Sequence, residues 1–119
     1  MSPSSVHHIN FVVRDLNEAC ARFERDLGLG PFECLDHAPR GAQVARSRVG
    51  ESWLVLVAPY DPESVPGRYL AEHGEGFFLL SLGVDALENP REGILNWRVE
   101  DIGEIHGALF QFTESTASD

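Results

Sequence analysis

Two segments of this chain follow the same residue pattern, and their repetition constrains the fold more than any other feature. HINFVVRDL at residues 8–16 and LLSLGVDAL at residues 79–87 both alternate like a β-strand. They share a valine at the same offset, followed by an acidic residue and a terminal leucine. This repetition predicts two copies of one supersecondary unit. With 119 residues, the chain has room for one compact domain containing both copies.

The first copy is predicted to be a βαβββ unit over about residues 6–59. After a strand at residues 6–13, Asp15 and Glu18 form a helix-capping pair. The helix has one apolar stripe, formed by Leu16, Cys20, Phe23 and Leu27. Turn-forming residues then separate three predicted strands, at residues 31–36, 42–49 and 52–59. The helix is expected to cover the outer face of its own sheet.

The second copy is shorter than the first. A linker over about residues 60–75 is expected to contain a helix at 65–73, because Ser64 can cap it and Pro66 suits its first turn. The second module, over about residues 76–114, opens with an apolar strand and continues to only two more, ILNWRVE and GALFQFTE. No helix is expected after Leu87, so roughly 10–15 residues of helix are missing compared with the first module.

Charge and cysteine content exclude several classes of partner and chemistry. The net charge is −10 and all nine basic residues are arginines, so lysine Schiff-base chemistry is excluded. Nucleic acids and anionic membranes need a basic surface, so neither is expected as a partner. Cys20 and Cys34 are too few for a disulfide framework or zinc knuckle, which favours a reducing cytoplasm. The sequence has no signal-peptide core and no apolar run of about 20 residues.

The order of four segments resembles a known superfamily. They are HHINFVVRDLNEACARFERDLGLGPF, SWLVLVAPYDPES, RYLAEHGEGFFLLSLGV and GALFQFTE. Together they are similar to vicinal oxygen chelate proteins, which include glyoxalases and bleomycin resistance proteins, and most of all to methylmalonyl-CoA epimerases and lactoylglutathione lyase-like proteins. The resemblance implies an α+β fold, with paired βαβββ modules forming a curled mixed sheet around a cavity; in this chain the second module is expected to be truncated, without its helix. It also implies a divalent metal that stabilises an enolate, held by one ligand from each of four strands.

Most of the site that the resemblance implies is absent from this sequence. The four metal-ligand positions fall on His8, Val55, Leu79 and Gln111, and the catalytic glutamate of the epimerases falls near Val44. Hydrocarbon side chains cannot coordinate a metal ion. No metal or other cofactor is therefore expected, and a divalent metal remains the alternative.

The same positions predict a ligand pocket with apolar walls. Strand alternation places His7 on the opposite face from His8, and His8 is either a hydrogen-bonded interior imidazole or a catalytic acid-base. Arg46 and Arg48 either rim the cavity, where Arg46 would favour an anionic ligand, or reach solvent beyond the sheet edge. The candidate ligand-binding residues are Asn10, Val44, Arg46, Trp53, Val55, Leu79, Ser81 and Gln111, with Val12 and Val57 as further wall residues.

Two functions from different classes follow. The first is a binding or resistance-type sequestration protein that holds a small apolar or anionic molecule without metal chemistry. The second is a lyase, isomerase or epimerase acting on a small carbonyl or thioester substrate, with a divalent metal or with His8 as acid-base. The sequence also predicts a homodimer, because no second helix covers the outward-facing residues Leu80, Leu82, Phe110 and Phe112. The alternative is a monomer in which the linker folds back over this face.

Overall fold

The computed structural model describes residues 2–37 and 41–115, which form one eight-stranded sheet with two helices. The strands are β1 (Ser5–Val12), β2 (Glu33–His37), β3 (Ala42–Val49), β4 (Ser52–Pro59), β5 (Gly76–Val84), β6 (Arg91–Glu92), β7 (Arg98–Ile105) and β8 (Ala108–Glu114). The helices are α1 (Leu16–Leu27) and α2 (Val65–His73), and a 3-10 turn spans Ile94–Asn96. None of the helices in the described parts of the chain is long and apolar enough to cross a membrane.

The strand order reproduces the repeat that the sequence predicts. The order is β2-β3-β4-β1-β5-β8-β7-β6, with β1 and β5 antiparallel at the centre. In each half the first strand runs parallel to the last, β1 beside β4 and β5 beside β8. His8 lies opposite Ser81, and Asn10 opposite Leu79. The predicted α+β class, a curled mixed sheet built from two related halves, is therefore confirmed.

Helix α1 has the predicted bounds and covers the outer face of the first half. The Asp15 carboxylate accepts a hydrogen bond from the Glu18 N–H at 3.0 Å, and Gly28 ends the helix with a left-handed φ of 71°. Its buried residues Leu16, Ala19 and Cys20 pack with Ala45 of β3 and Leu56 of β4. Phe23 is partly buried against the same cluster. The expectation for Leu27 was wrong: this residue lies in the last turn, beyond the sheet, and is 63% exposed.

Helix α2 matches the prediction in extent, and it packs beside the concave face of the sheet. The Ser64 hydroxyl accepts a hydrogen bond from the Gly67 N–H at 3.1 Å. Tyr69 and Leu70 pack on a cluster at the centre of the sheet, formed by Val12, Phe78 and Leu79. The outward-facing side chains of the second half are not part of this cluster. The linker therefore does not provide the cover that the monomer alternative requires.

The second half differs from the prediction between residues 91 and 105. ILNWRVE was predicted as one strand, but Ile94–Asn96 forms a 3-10 turn and β7 begins only at Arg98. Leu95 and Asn96 adopt left-handed φ values of 58° and 61°, which no strand accommodates. The chain also contains β6, an unpredicted two-residue strand that pairs with β7. No helix follows β5 within residues 85–115, as expected.

The outer face of the second half is only partly covered. On the outer face of β5 and β8, Leu80, Leu82, Phe110 and Phe112 are only half-buried.

Between α1 and β2, the Cys20 thiol lies beside that of Cys34, although the two residues are distant in the sequence. Burial, followed by the effect of Cys34, raises the pKa of the Cys20 thiol to about 12.

Candidate functional site

A cavity of about 220 Å³ lies between the concave face of the sheet, the start of α2 and the Ile94–Asn96 turn. Both halves of the chain contribute to its walls. The apolar wall residues include Ala42, Val57, Val65, Phe78, Leu79 and Leu109. Because the walls are mostly hydrocarbon and a few polar groups are clustered among them, the cavity has the composition of a small-molecule site.

The charged groups of the cavity neutralise one another. Arg91 forms a bidentate pair with Asp101, with Nε 2.8 Å from Oδ2 and Nη2 2.9 Å from Oδ1. The Gln111 side-chain amide also donates to Asp101 Oδ1, at 3.1 Å. The pair therefore carries no net charge, and the donors of Arg91 and Gln111 are directed at the carboxylate.

Among the described residues, Asn10 is the remaining polar side chain in the wall. It is 6% exposed, and its Oδ1 has no hydrogen-bond partner among the described residues. Strand β1 lies between β4 and β5, so the residues paired with Asn10 are Val55 on one side and Leu79 on the other. Neither hydrocarbon side chain can donate a hydrogen bond to this oxygen.

Trp97 fills the other part of the concave face. It is 6% exposed and its ring stacks on His8 with centroids 4.5 Å apart. The Gly93 N–H donates to the Trp97 carbonyl at 2.7 Å, which closes the turn that directs the indole inward. Trp97 packs in a cluster with Ala42, Val44, Val55, Val57 and Val99. Trp97 was predicted only as part of the strand ILNWRVE, so its place over His8 was not predicted.

His8 is enclosed by this cluster, and His7 lies beside it. The prediction that His7 faces the opposite side was wrong, because a register shift between Val6 and His8 interrupts the alternation. Both rings are buried, and one Nδ1 donates to the other across 2.9 Å. Burial, followed by the nearby His7, holds the pKa of His8 well below its usual value. His8 is therefore neutral at pH 7 and a weak base.

The two arginines of β3 lie near the tryptophan cluster and do not line the cavity. Arg46 donates from Nε to Glu33 at 2.9 Å, and its guanidinium lies 4.1 Å from the centre of the Trp53 ring. Arg48 lies 4.8 Å from the same ring and donates to the Gly50 carbonyl. Arg46 thus has both an acidic and an aromatic partner outside the cavity.

The structure therefore divides the predicted site into two groups. Asn10, Leu79 and Gln111 line the cavity, together with the further wall residue Val57. The remaining predicted residues lie outside the cavity lining: His8, Val12, Val44, Arg46, Trp53, Val55 and Ser81. Ser81 instead donates to the Gln111 carbonyl at 3.2 Å. Arg91 and Asp101 were not predicted as site residues, because Arg91 lies on the unpredicted strand β6 and only the pairing of β6 with β7 brings the two charges together.

The residues at the four family ligand positions do not fit a divalent metal. Val55 and Leu79 have no donor atom, and the Gln111 amide is hydrogen-bonded to Asp101. The Nδ1 of His8 is engaged by the neighbouring imidazole, and its Nε2 has no hydrogen-bond partner among the described residues but also no second metal-ligating atom at Val55 or Leu79. Within residues 2–37 and 41–115, no group of three or more His, Cys, Asp or Glu side chains is arranged to hold a metal ion.

Solved structures with the same fold include two epimerases. An epimerase variant from Streptomyces coelicolor, a methylmalonyl-CoA epimerase in complex with 2-nitronate-propionyl-CoA, is 22% identical with a TM-score of 0.86, covering 98% of this chain and 97% of that chain. The methylmalonyl-CoA epimerase from Mycobacterium tuberculosis is 22% identical with a TM-score of 0.81, covering 98% and 91%. A hypothetical protein from Bacillus halodurans C-125 is 21% identical with a TM-score of 0.83, covering 98% and 96%. At these identities the likeness shows the fold alone.

Sequence comparison gives the family. No curated protein sequence matches this chain significantly. The model of the glyoxalase/bleomycin resistance protein/dioxygenase superfamily matches residues 7–105, which include all but the first two residues of β1 and every later element up to the end of β7. The chain therefore belongs to the glyoxalase/bleomycin resistance protein/dioxygenase superfamily.

Proposed function

We propose that this protein binds a small, mainly apolar molecule in the cavity and does so without a metal ion. The observation that carries the proposal is the composition of the cavity, whose walls are hydrocarbon and whose Arg91–Asp101 pair has no net charge. An apolar molecule entering this space loses contact with water and displaces no strongly solvated ion.

The state of the arginines favours an apolar ligand over an anionic one. Arg46, which the sequence offered as an anion-binding group, is held by Glu33 and Trp53 outside the cavity. Arg91 does line the cavity, but Asp101 already occupies its guanidinium on two nitrogens. An anion would have to compete with that carboxylate inside a protein of net charge −10.

The enzymatic alternative is an isomerase or lyase reaction like that of the structural neighbours. The Streptomyces coelicolor epimerase is in complex with 2-nitronate-propionyl-CoA, and a further methylmalonyl-CoA epimerase of the same fold is in complex with methylmalonyl-CoA and NH4+. Against this alternative, Val44 stands where the epimerase base is expected and is fully buried. His8 is neutral and covered by Trp97. Neither side chain can take a proton from a substrate in the cavity, so we rank binding first.

The test is to fill the cavity by mutation. Leu109→Trp places an indole where the ligand should lie, whereas Leu27→Trp makes the same change at a residue that is 63% exposed on α1. The neutral dye Nile red is titrated into each variant and its fluorescence gives the dissociation constant. We expect wild type and Leu27→Trp to bind equally and Leu109→Trp to bind at least tenfold more weakly. Equal binding by all three proteins would place the dye, and the function, elsewhere.

Metal analysis and an activity assay address the alternative directly. Protein purified without chelator is analysed for Mn, Co, Ni and Zn, and is then assayed for methylmalonyl-CoA epimerisation with each ion added. We expect substoichiometric metal and no turnover. Stoichiometric metal, or turnover that a chelator abolishes, would replace the binding proposal with the enzymatic one.

We also propose that the protein is a homodimer. The half-buried outer face of β5 and β8, formed by Leu80, Leu82, Phe110 and Phe112, has no helix over it among the described residues. Soluble proteins seldom leave such a face in contact with water. A second copy of the chain covers it most simply, because a two-fold contact buries the same four side chains on both subunits.

A further inference from the structure

We propose that the ligand is a neutral molecule with a hydroxyl or amide N–H group, and that this group donates a hydrogen bond to Asn10 Oδ1. The inference rests on the proposed function, because it describes what the same cavity recognises. It makes Asn10 the specificity-determining residue of the site.

The first support is the state of the Asn10 side chain. It lines the cavity and is only 6% exposed, and its Oδ1 has no hydrogen-bond partner among the described residues. A buried carbonyl oxygen without a hydrogen bond destabilises a fold, so native proteins rarely keep one unless a ligand or water completes it. Asn10 sits beside Val55 and Leu79, so the partner must come from the cavity side.

The second support is that the other polar groups of the cavity are already engaged with one another. Gln111 donates to Asp101 at 3.1 Å, and Arg91 donates to both oxygens of the same carboxylate. These contacts satisfy the strongest donors in the wall. The group left open at Asn10 is an acceptor, which attracts a donor and repels an anion.

The charge of the ligand follows from the same arrangement. A carboxylate would place its oxygens against the Asn10 carbonyl and near Asp101, and among the described residues of the wall no cation without a carboxylate partner offsets the repulsion. A pure hydrocarbon would fit the walls but would leave Oδ1 buried and unpaired. A neutral hydroxyl or amide satisfies the oxygen and keeps the rest of the ligand apolar.

Three probes of one shape separate these possibilities. Naphthalene, 1-naphthol and 1-naphthoate have the same two fused rings and differ in one substituent, which is absent, a neutral donor or an anion at pH 7. Their dissociation constants are measured by isothermal titration calorimetry, or by displacement of Nile red, against wild type and Asn10→Leu. Leucine has the same number of side-chain non-hydrogen atoms as asparagine, branched in the same way, and has no acceptor. Circular dichroism checks that the variant is folded.

We expect wild type to bind 1-naphthol about tenfold more tightly than naphthalene, as one net hydrogen bond allows, and to bind 1-naphthoate most weakly. In Asn10→Leu, naphthol should lose this advantage while naphthalene binds at least as well as before. Equal binding of naphthol and naphthalene by wild type, or a preference for naphthoate, would overturn the inference and leave the proposed apolar site standing. Failure of all three probes to bind would overturn both. The wild-type comparison decides the matter even if Asn10→Leu does not fold.

Discussion

Removing the Trp97 side chain should destabilise the protein strongly. The indole is 6% exposed and is surrounded by ring contacts, with centroids 4.5 Å from His8, 4.8 Å from His7 and 6.4 Å from Trp53. Trp97→Ala would leave a cavity lined by these rings and by valines of β3 and β4. The strands that carry these residues would hinder collapse of the surrounding structure into that space.

The magnitude follows from two opposing effects. Truncating a buried tryptophan to alanine lowers the free energy of unfolding by about 3–5 kcal/mol. Because Trp97→Ala also removes the stacking contact with His8, its cost is expected at the upper end of that range. In the opposite direction, the left-handed φ values of Leu95 and Asn96 each cost about 1 kcal/mol of conformational strain. This strain is relieved if the turn relaxes once Trp97 no longer anchors it. Subtracting about 2 kcal/mol of relieved strain from the upper end of that range, about 4–5 kcal/mol, leaves an expected net loss of about 2–3 kcal/mol, a large share of the ~5–15 kcal/mol typical of a domain.

The assay is urea unfolding followed by far-ultraviolet circular dichroism. Trp53→Ala is the matched control, because Trp53 belongs to the same cluster but is partly exposed and should lose less. Trp97→Phe keeps a ring against His8 and should fall between wild type and Trp97→Ala. In the folded alanine variant, the pKa of His8 measured by NMR should rise towards its usual value, because water reaches the imidazole.

If Trp97→Ala loses less than about 1 kcal/mol, or no more than Trp53→Ala, Trp97 does not close the concave face as described. An unchanged His8 pKa in the folded variant would show that groups other than the indole keep water from the imidazole.

Three further results are expected. Burial depresses the pKa of His8 in the folded protein, so below about pH 6.5 the unfolded chain binds a proton that the folded protein does not bind. The contribution of His8 to the free energy of unfolding should therefore be constant above about pH 6.5 and decrease below it by up to about 1.4 kcal/mol per pH unit. Urea titrations at a series of pH values should show this decrease in wild type and not in His8→Gln. With iodoacetamide at pH 8, exposed Cys34 should be alkylated while Cys20, with a pKa of about 12, stays unmodified in a peptide map until urea is added. Light scattering at micromolar concentration should give twice the 13.2 kDa chain mass, and Leu82→Ser with Phe112→Ser should halve it; a wild-type monomer would contradict the dimer.

The order and class of most elements could be predicted because their signals are local. The capping pair Asp15–Glu18, the apolar stripe of α1 and the Ser64 cap each act over a few neighbouring residues, and both helices have the predicted bounds. The repeat indicated a symmetric sheet before any contact was known. The hydrocarbon character of Val55 and Leu79, which decides that the family ligand set is incomplete, is also a property of the sequence alone.

The contents of the concave face were decided by the tertiary structure. Alternation identifies the two faces of a strand, but it fails at a bulge, as at His7, and it cannot show how the chain leaves a strand. The left-handed residues Leu95 and Asn96 turn Trp97 onto His8, and strand pairing brings Arg91 to Asp101. Packing fills space according to long-range contacts, so whether a concave position opens into the cavity or is covered by another side chain depends on residues distant in the sequence.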